Sequence, residues 1–446
     1  MQEPTPAVAA PPGASPAAPA ASNRSALLIV FLVVFIDLLG FGIVLPMLPV
    51  IGDSYVEQLF PGGRESNPVA GLVDGLLMSS FSLMQFLGSP VWGRISDRIG
   101  RRPILLIGLA GSVVFYALFG YACSLPKDTS AALALTLLFV ARIGAGVSGA
   151  TIATAQAVIA DCTPPEKRKH GMALIGAAFG IGFTFGPLLA IAALLLFPYH
   201  LEAVGYTASA LSAVAFVMGF RMLPETRQFD QAPPTERKFV NWAAVRHVLA
   251  NAAVGPVILT FFLATLGFAA FETTLAMFLD KAMGFQRETM YLMFAYVGLV
   301  LMLTQGFLYR RLAKRWAETT FMTAGIVLMA LGLVGLAAVT WAAWAGDVEV
   351  AVTTTLLYVS LAVAVVGFAF LTPSAQALIS RRTDPNQQGE VLGVNQSASA
   401  MARILGPVIG LTLFKLMTPP LLPYGFGALV LVAMLPVMPR IRRAGT

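Results

Sequence analysis

Apolar residues run along this chain in long blocks, each near or above the ~20 residues a helix needs to cross a hydrocarbon layer ~30 Å thick. Twelve blocks occur, at 25–50, 72–95, 103–122, 131–160, 169–194, 197–221, 251–280, 289–312, 319–344, 350–380, 389–416 and 420–439. The sixth is the weakest, because "LFPYHLEAVGY" interrupts its start. The pattern predicts an all-α membrane protein with twelve transmembrane helices. Ahead of them, "MQEPTPAVAAPPGASPAAPAAS" is Pro and Ala with one acid and no periodicity, which predicts a disordered tail. Arg24 leads straight into a full-length span, so a cleavable secretory signal is not expected.

Composition agrees: the chain is 57% hydrophobic and 11% charged, with mean hydropathy +0.78, well outside what a water-facing globule carries. Cys123 and Cys162 fall at opposite ends of the third and fourth spans and cannot pair within one molecule. His170, His200 and His247 are scattered in loops and helix ends. Neither a disulfide framework, a metal site nor a cofactor is expected.

Charge adds an orientation. Once the spans are drawn, 22 of the 29 Lys and Arg residues fall on one side, including Arg24, the loop after span 2, the Pro224 to His247 segment and Arg440, Arg442 and Arg443. Five lie opposite (Arg64, Lys127, Lys281, Arg287, Lys415), and Arg142 and Arg403 lie within spans. The positive-inside rule then predicts that both termini are cytoplasmic, in a cell membrane and by expectation a bacterial inner membrane. The net charge of +7 is this bias rather than a nucleic-acid surface.

The chain is also doubled. "TAQAVIADCTPPEKR" and "SAQALISRRTDPNQQ" superpose at an offset of 220 residues, which also carries Gly186 and Pro187 onto Gly406 and Pro407. "GRISDRIGRRP" and "RRLAKRWAETT" match at an offset of 217, Arg94 and Arg98 falling on Arg311 and Arg315. Two pseudo-symmetric six-helix bundles follow, over 24–222 and 249–440, with a cytoplasmic tail at 1–23, a linker at 223–248 and a second tail at 441–446. Parallel repeats of this kind place a substrate site between the halves near mid-membrane and alternate its access by rocking.

Motifs sharpen this. "GRISDRIGRR" after span 2, "RIGAGVSGA" in span 4, "GIGFTFGP" in span 5 and "FIDLLGFGIVLPMLP" in span 1 together resemble the major facilitator superfamily, within it the tetracycline-efflux branch of the drug/proton antiporters, over residues 25–440. The span 5 motif departs from the antiporter pattern at Ala190 and Ile191, where paired glycines are usual. Members that carry tetracycline also have acids in spans 3 and 9, where "GLAGSVVFYALFGY" and "GIVLMALGLVGLAAV" have none. Tetracycline itself is therefore not expected as substrate.

The resemblance implies roles for the charges between Gly93 and Pro103. Gly93 and Gly100 permit a tight turn around Asp97. Asp97 is expected to face the start of span 11, and the arginines to reach Asp161 at the end of span 4. Gly93, Asp97, Arg98, Gly100, Arg101 and Asp161 would then form a conformational latch, made only when the halves close on the cytoplasmic side. Lys314 stands where the second half should carry the acid, which predicts a one-sided latch. Topology signalling is an equally ready reading for Arg101 and Arg102.

Asp37, Arg142, Glu272 and Arg403 are ionisable residues read within the spans, and each charge at a helix centre costs about 2.5–3.5 kcal/mol to insert. They are either neutralising pairs or working groups. A carboxylate whose arginine partner comes and goes is a proton switch, so Asp37, Glu272 and Arg142 are the candidate proton-coupling residues. Gln85, Gln156, Gln305, Asn395, Ser399, Arg403, Phe268 and Phe294 are candidate cavity residues, against the alternative of helix packing. Gly182, Gly186 and Pro187 mark span 5 as a gating helix that is kinked or closely crossed.

A proton-coupled antiporter exporting a small lipophilic compound leads these readings, with a symporter importing a small, possibly anionic, metabolite as the alternative. The expected partners are the substrate, protons and the bilayer, without nucleic acid, in a monomer. No HExxH, GxSxG or GxxxxGK[ST] motif occurs, which argues against a catalytic site or an ATP-driven pump.

Overall fold

The structure is a computed structural model that describes residues 20–60, 67–162, 168–198, 200–227, 242–346, 348–383 and 387–443. Most of the expected tail and linker therefore lies outside the described residues. The first bundle contains α1 (Ala20–Val44), α2 (Leu48–Leu59), α3 (Pro68–Ile99), α4 (Arg101–Ser124), α5 (Lys127–Gly149), α6 (Ile152–Cys162), α7 (Arg168–Leu196) and α8 (Glu202–Met222). After the short α9 (Trp242–Ala250) come α10 (Gly255–Lys281), α11 (Arg287–Leu303), α12 (Arg310–Leu312), α13 (Glu318–Ala345), α14 (Val350–Arg382), α15 (Gln388–Phe414), α16 (Leu422–Val432) and α17 (Met438–Arg443). Among the described residues, eleven segments are long and apolar enough to span a membrane, and the apolar part of α7, Ile181–Leu196, is shorter.

The expected spans 25–50, 131–160 and 420–439 are broken, the last between Val432 and Met438, and the first two have a clear local reason. The first divides at Leu45–Met47, where Pro46 has no N–H to continue the ladder, and the chain restarts as α2 with Pro49 in its first turn. The fourth divides after Gly149. There Trp92 Nε1 donates to Val147 O at 2.8 Å and Gln85 Nε2 donates to Gly149 O at 3.2 Å, so side chains from α3 engage carbonyls at the helix end. Gly146 lies against the α3 backbone, where an added Cβ would stand 2.5 Å from Phe81 O. Gly146 thus marks a close crossing of α3 and α5, and Gln156, beyond the break, is exposed.

Packing repeats the sequence duplication. In the first half α1 packs on α7, α4 on α5 and α8, and α3 on α5; in the second α10 packs on α15, α13 on α14 and α16, and α11 on α14. The interface between the halves is paired in the same way, α3 against α15 and α11 against α7. Gly186 lies on Gly42 at the α1–α7 crossing, and its repeat partner Gly406 lies on Ala269 at the α10–α15 crossing.

The α3–α15 contact is close at one end only. Gly71 faces Leu411 and Thr412, Gly75 faces Val408, Ser79 Oγ donates to Ile404 O at 2.5 Å, and Asn67 N donates to Lys415 O at 3.0 Å. Further along, no residue of α3 from Ser82 to Ile95 is buried, and Gly393, Gln396 and Ser397 of α15 are exposed. The halves are joined at the end that holds Asp53 and parted toward the end that holds Gly100.

A Cβ at Gly75 would stand 2.6 Å from Val408 Cα, so Gly75→Leu opposes closure by the ~1–3 kcal/mol typical of overpacking. A cysteine replacing buried Ser79 is expected to react about tenfold faster with a charged thiol reagent in the Gly75→Leu background. Equal rates would show that this crossing does not hold the halves together.

Candidate functional site

Between the halves lies an open cavity of about 790 Å³, counting space continuous with solvent, lined from the first half by Leu38, Phe41, Phe81, Gln85, Arg142 and Phe183 and from the second by Glu272, Thr273 and Arg403, among others. α5 brings in Arg142, which is 2% exposed. Its guanidinium carbon lies 4.7 Å from the Phe81 ring centre and 5.8 Å from that of Phe41, within range for cation–π attraction. Its one described hydrogen bond is long, from Nη2 to Met78 O at 3.5 Å, and Nε and Nη1 have no partner among the described residues. Across the cavity, Arg403 Nη2 donates to Ser399 Oγ at 3.3 Å. Arg403 is exposed although it sits midway along α15.

Of the expected cavity residues, Gln85 and Arg403 line this space, together with the expected proton-coupling residues Arg142 and Glu272. Asp37 lies on α1 one turn before Phe41, and its side chain is outside the described residues. The others do not line it. Phe268 is stacked on Phe368 with ring centres 4.0 Å apart, and Phe294 is buried in the hydrophobic core. Asn395 is buried and Ser399 serves as the acceptor for Arg403, while Gln305 lies in a π-helical turn, Thr304–Tyr309, and Gln156 in α6. A polar residue on an apolar span is equally at home between helices, and the break after Gly149 interrupts the helix between Arg142 and Gln156. Phe41, Phe81 and Phe183 were missed because sequence gives no way to choose among 30 phenylalanines, although Phe41 and Phe183 fall within quoted motifs.

The cluster at the Gly100 end differs from expectation. Asp97 sits on the last turn of α3, not in a loop, and only Gly100 makes the turn, with φ +107°. Gly93 has open space around it. Arg101 Nη1 reaches Asp97 at 2.5 Å and Ser96 Oγ at 2.7 Å, and Arg101 Nε reaches Asp161 at 3.3 Å. Arg227 Nη1 stands 3.8 Å from Asp97, and Arg98 is exposed. These pairs form within the first half while the two halves are parted here, so closure is not needed to make them. Glu225, which sequence did not single out, accepts from Arg101 N at 2.9 Å and Arg102 N at 3.1 Å, capping the start of α4.

Nor is the cluster one-sided. Arg381 Nη1 pairs with Glu318 at 2.5 Å in the second half. Position 381 is 220 residues beyond Asp161, and 318 is 217 beyond Arg101, the same offsets as the motifs. The repeat keeps the ion pair and reverses its signs, as it reverses Asp97 to Lys314.

At the opposite end a second cluster, also missed, crosses between the halves. Lys281 Nζ is 2.6 Å from Asp53 Oδ2 and 2.5 Å from Glu57 Oε1, and Lys415 Nζ contacts Asp53 Oδ1 and stands 3.0 Å from Asp74 Oδ2. Burial raises the Asp53 pKa, but Lys281 and Lys415 outweigh it and hold the carboxyl below its ordinary value. Asp74 lies inside a span and extends the set of charged residues read there.

Comparison with known proteins places this geometry. The chain matches the Major Facilitator Superfamily over residues 30–407 and 329–444. It is 30% identical over 389 residues to the tetracycline resistance protein, class C, of Escherichia coli, covering 87% of this chain and 89% of that one. It is 28% identical over 441 residues to the major facilitator superfamily domain-containing protein 10 of Mus musculus, covering 89% and 88%. Its fold resembles the human organic anion transporter MFSD10 (TETRAN), with TM-score 0.63, 24% identity and coverage of 93% and 99%. It also resembles a D-xylose-proton symporter, with TM-score 0.72, 14% identity and coverage of 92% and 97%.

Gly100 has a left-handed φ, and a Cβ there would crowd the Glu225 carboxylate, standing 2.9 Å from its Cδ. Gly100→Ala is expected to destabilise the protein by about 1–3 kcal/mol, whereas Gly93→Ala stays within about 0.5 kcal/mol. Thermal unfolding in detergent checks this, and equal melting temperatures would remove Gly100 from the turn's requirements.

Proposed function

The chain belongs to the Major Facilitator Superfamily, whose members are secondary transporters and not enzymes, and on that premise we propose that it is a proton-coupled antiporter exporting a small lipophilic compound by alternating access. The observation that carries this reading is the cavity between the halves, where an aromatic wall of Phe41, Phe81 and Phe183 stands beside Arg142, Glu272 and Arg403. Rings provide area for an apolar solute, and ionisable groups in a low-dielectric space change protonation as partners come and go.

Asp37 and Glu272 are the proton carriers in this proposal, with Arg142 as the charge that favours release from Asp37 when the two are near. The 22-to-five distribution of basic residues supports cytoplasmic termini, which makes the Gly100 end the cytoplasmic one and the present conformation inward-facing. The Gly42 and Gly186 crossing supports α7, with Gly182 and Pro187, as a helix on which the first half rocks.

Arg142 favours a second reading, an anionic substrate. Its Nε and Nη1 are unpartnered among the described residues and it lines the cavity, so an anionic group of the substrate would satisfy it. Human MFSD10, which this fold resembles, is itself an organic anion transporter. Tetracycline, named for the class C relative, is not proposed, since the membrane-spanning parts of α4 and α13 carry no acid.

In inverted vesicles with an internal pH dye, a compound screen is expected to find substrates that release protons from the lumen as they enter. Proton movement in the same direction as substrate would replace antiport by symport. Asp37→Asn is expected to abolish substrate-driven proton flux in a folded protein, and full flux would remove Asp37 as carrier. Glu272→Gln is expected to change coupling or substrate preference, and wild-type kinetics for every substrate would reduce it to packing.

A further inference from the structure

Opening the Asp53 end requires the two halves to separate across its ion cluster, and the charges are divided unequally. Asp53 on α2, Glu57 on α2 and Asp74 on α3 all belong to the first half; Lys281 ends α10 and Lys415 follows α15, both in the second. Separation therefore strips both ammonium groups from the acids at once. Glu57 is exposed and water replaces its partner. Asp53 and Asp74 differ in lying side by side: with the halves joined they are 3% and 1% exposed and the Lys415 ammonium touches both, which puts them within a few ångströms of each other. Asp74 has neither oxygen in a well-formed hydrogen bond, so Lys415 is its one described counter-charge.

The other groups packed around Asp74 do not supply a substitute. From α2 come only the two acids, with Tyr55 directing its hydroxyl to Ala122 O and Leu125 O on the α4 side. From α5 the charge is Arg142, whose Nη2 lies 3.5 Å from Met78 O, a turn further along α3 and in the wall of the central cavity. Two neighbouring carboxylates without a cation do not both stay ionised.

We infer that Asp53 and Asp74 form a proton-binding pair outside the central cavity, loaded with one proton as Lys415 and Lys281 withdraw and emptied as they return. Closing this end exchanges the proton for an ammonium; opening it does the reverse. The inference rests on alternating access, and not on which acid in the cavity couples transport.

The test uses the full-length protein in lipid nanodiscs, with Cys123 and Cys162 replaced by Ser and spin labels on cysteines at Leu59 and Met417, one on each half at this end. Asp37→Asn and Glu272→Gln are introduced together, so that the cavity acids contribute nothing. Between pH 8 and pH 5 the long-distance population is expected to grow, its ratio to the short one changing about tenfold per pH unit within the titration. Adding Asp74→Asn, or Asp53→Asn should that variant fail to fold, is expected to abolish this response. A distance distribution independent of pH, or a response that survives both substitutions, would overturn the inference. So would an equal response to added Na⁺ at fixed pH, which would make the ligand a metal cation. Failure of substrate-driven proton flux with this response intact would count against the proposed antiport and not against the pair.

Discussion

A charge within or beside hydrocarbon needs a counter-charge or water, and in this molecule several counter-charges stand on the opposite half. Asp53 and Asp74 are held by Lys281 and Lys415 across the interface. The same ion pairs that join the halves at one end must be undone for that end to open. Stability of each conformation and exchange between conformations are governed by one set of interactions, because removing either partner from a buried pair leaves an uncompensated charge. The parted end shows the other solution, in which Arg101 with Asp161 and Arg381 with Glu318 are satisfied inside their own halves.

The duplication turns this into a symmetric arrangement with alternating signs. A strict copy would carry an Arg at 318 and an Asp at 381; the chain carries Glu318 and Arg381. Between the two ends, the paired α3–α15 and α11–α7 contacts form the surface on which the halves bear. Gly298 of α11 meets Phe183 and Thr184 there, just as Gly75 meets Val408.

How much of this the chain discloses before folding depends on the length scale of each feature. Helical spans and the duplication are long, repetitive signals, and they survive errors of several residues. Gly100 was legible too, since a glycine between two charged helix ends has few other uses. Arg142, Glu272 and Arg403 were legible because a charge in an apolar run is conspicuous. Asp53 and Asp74 were not: each looks like an ordinary acid near a span end, and their meaning comes from Lys281 and Lys415, more than 200 residues away in the chain. Phe268 and Phe294 failed for the converse reason, aromatic rings being as useful in cores as in cavities. The break after Gly149, where Gln85 and Trp92 of a neighbouring helix engage the freed carbonyls, separates Gln156 from Arg142 and is not visible along the span itself.

The central claim is that one cavity, holding Arg142 and Glu272, is reached from one end at a time. It is tested most directly by a single reporter cysteine at Gln85 in a protein whose Asp53 and Lys415 are replaced by cysteines that can be cross-linked. Without the cross-link, the account predicts labelling of position 85 by impermeant reagents from either face of the membrane. With it, labelling continues from the Gly100 face alone. Labelling from both faces with the link in place, or from the Asp53 face alone, would contradict it.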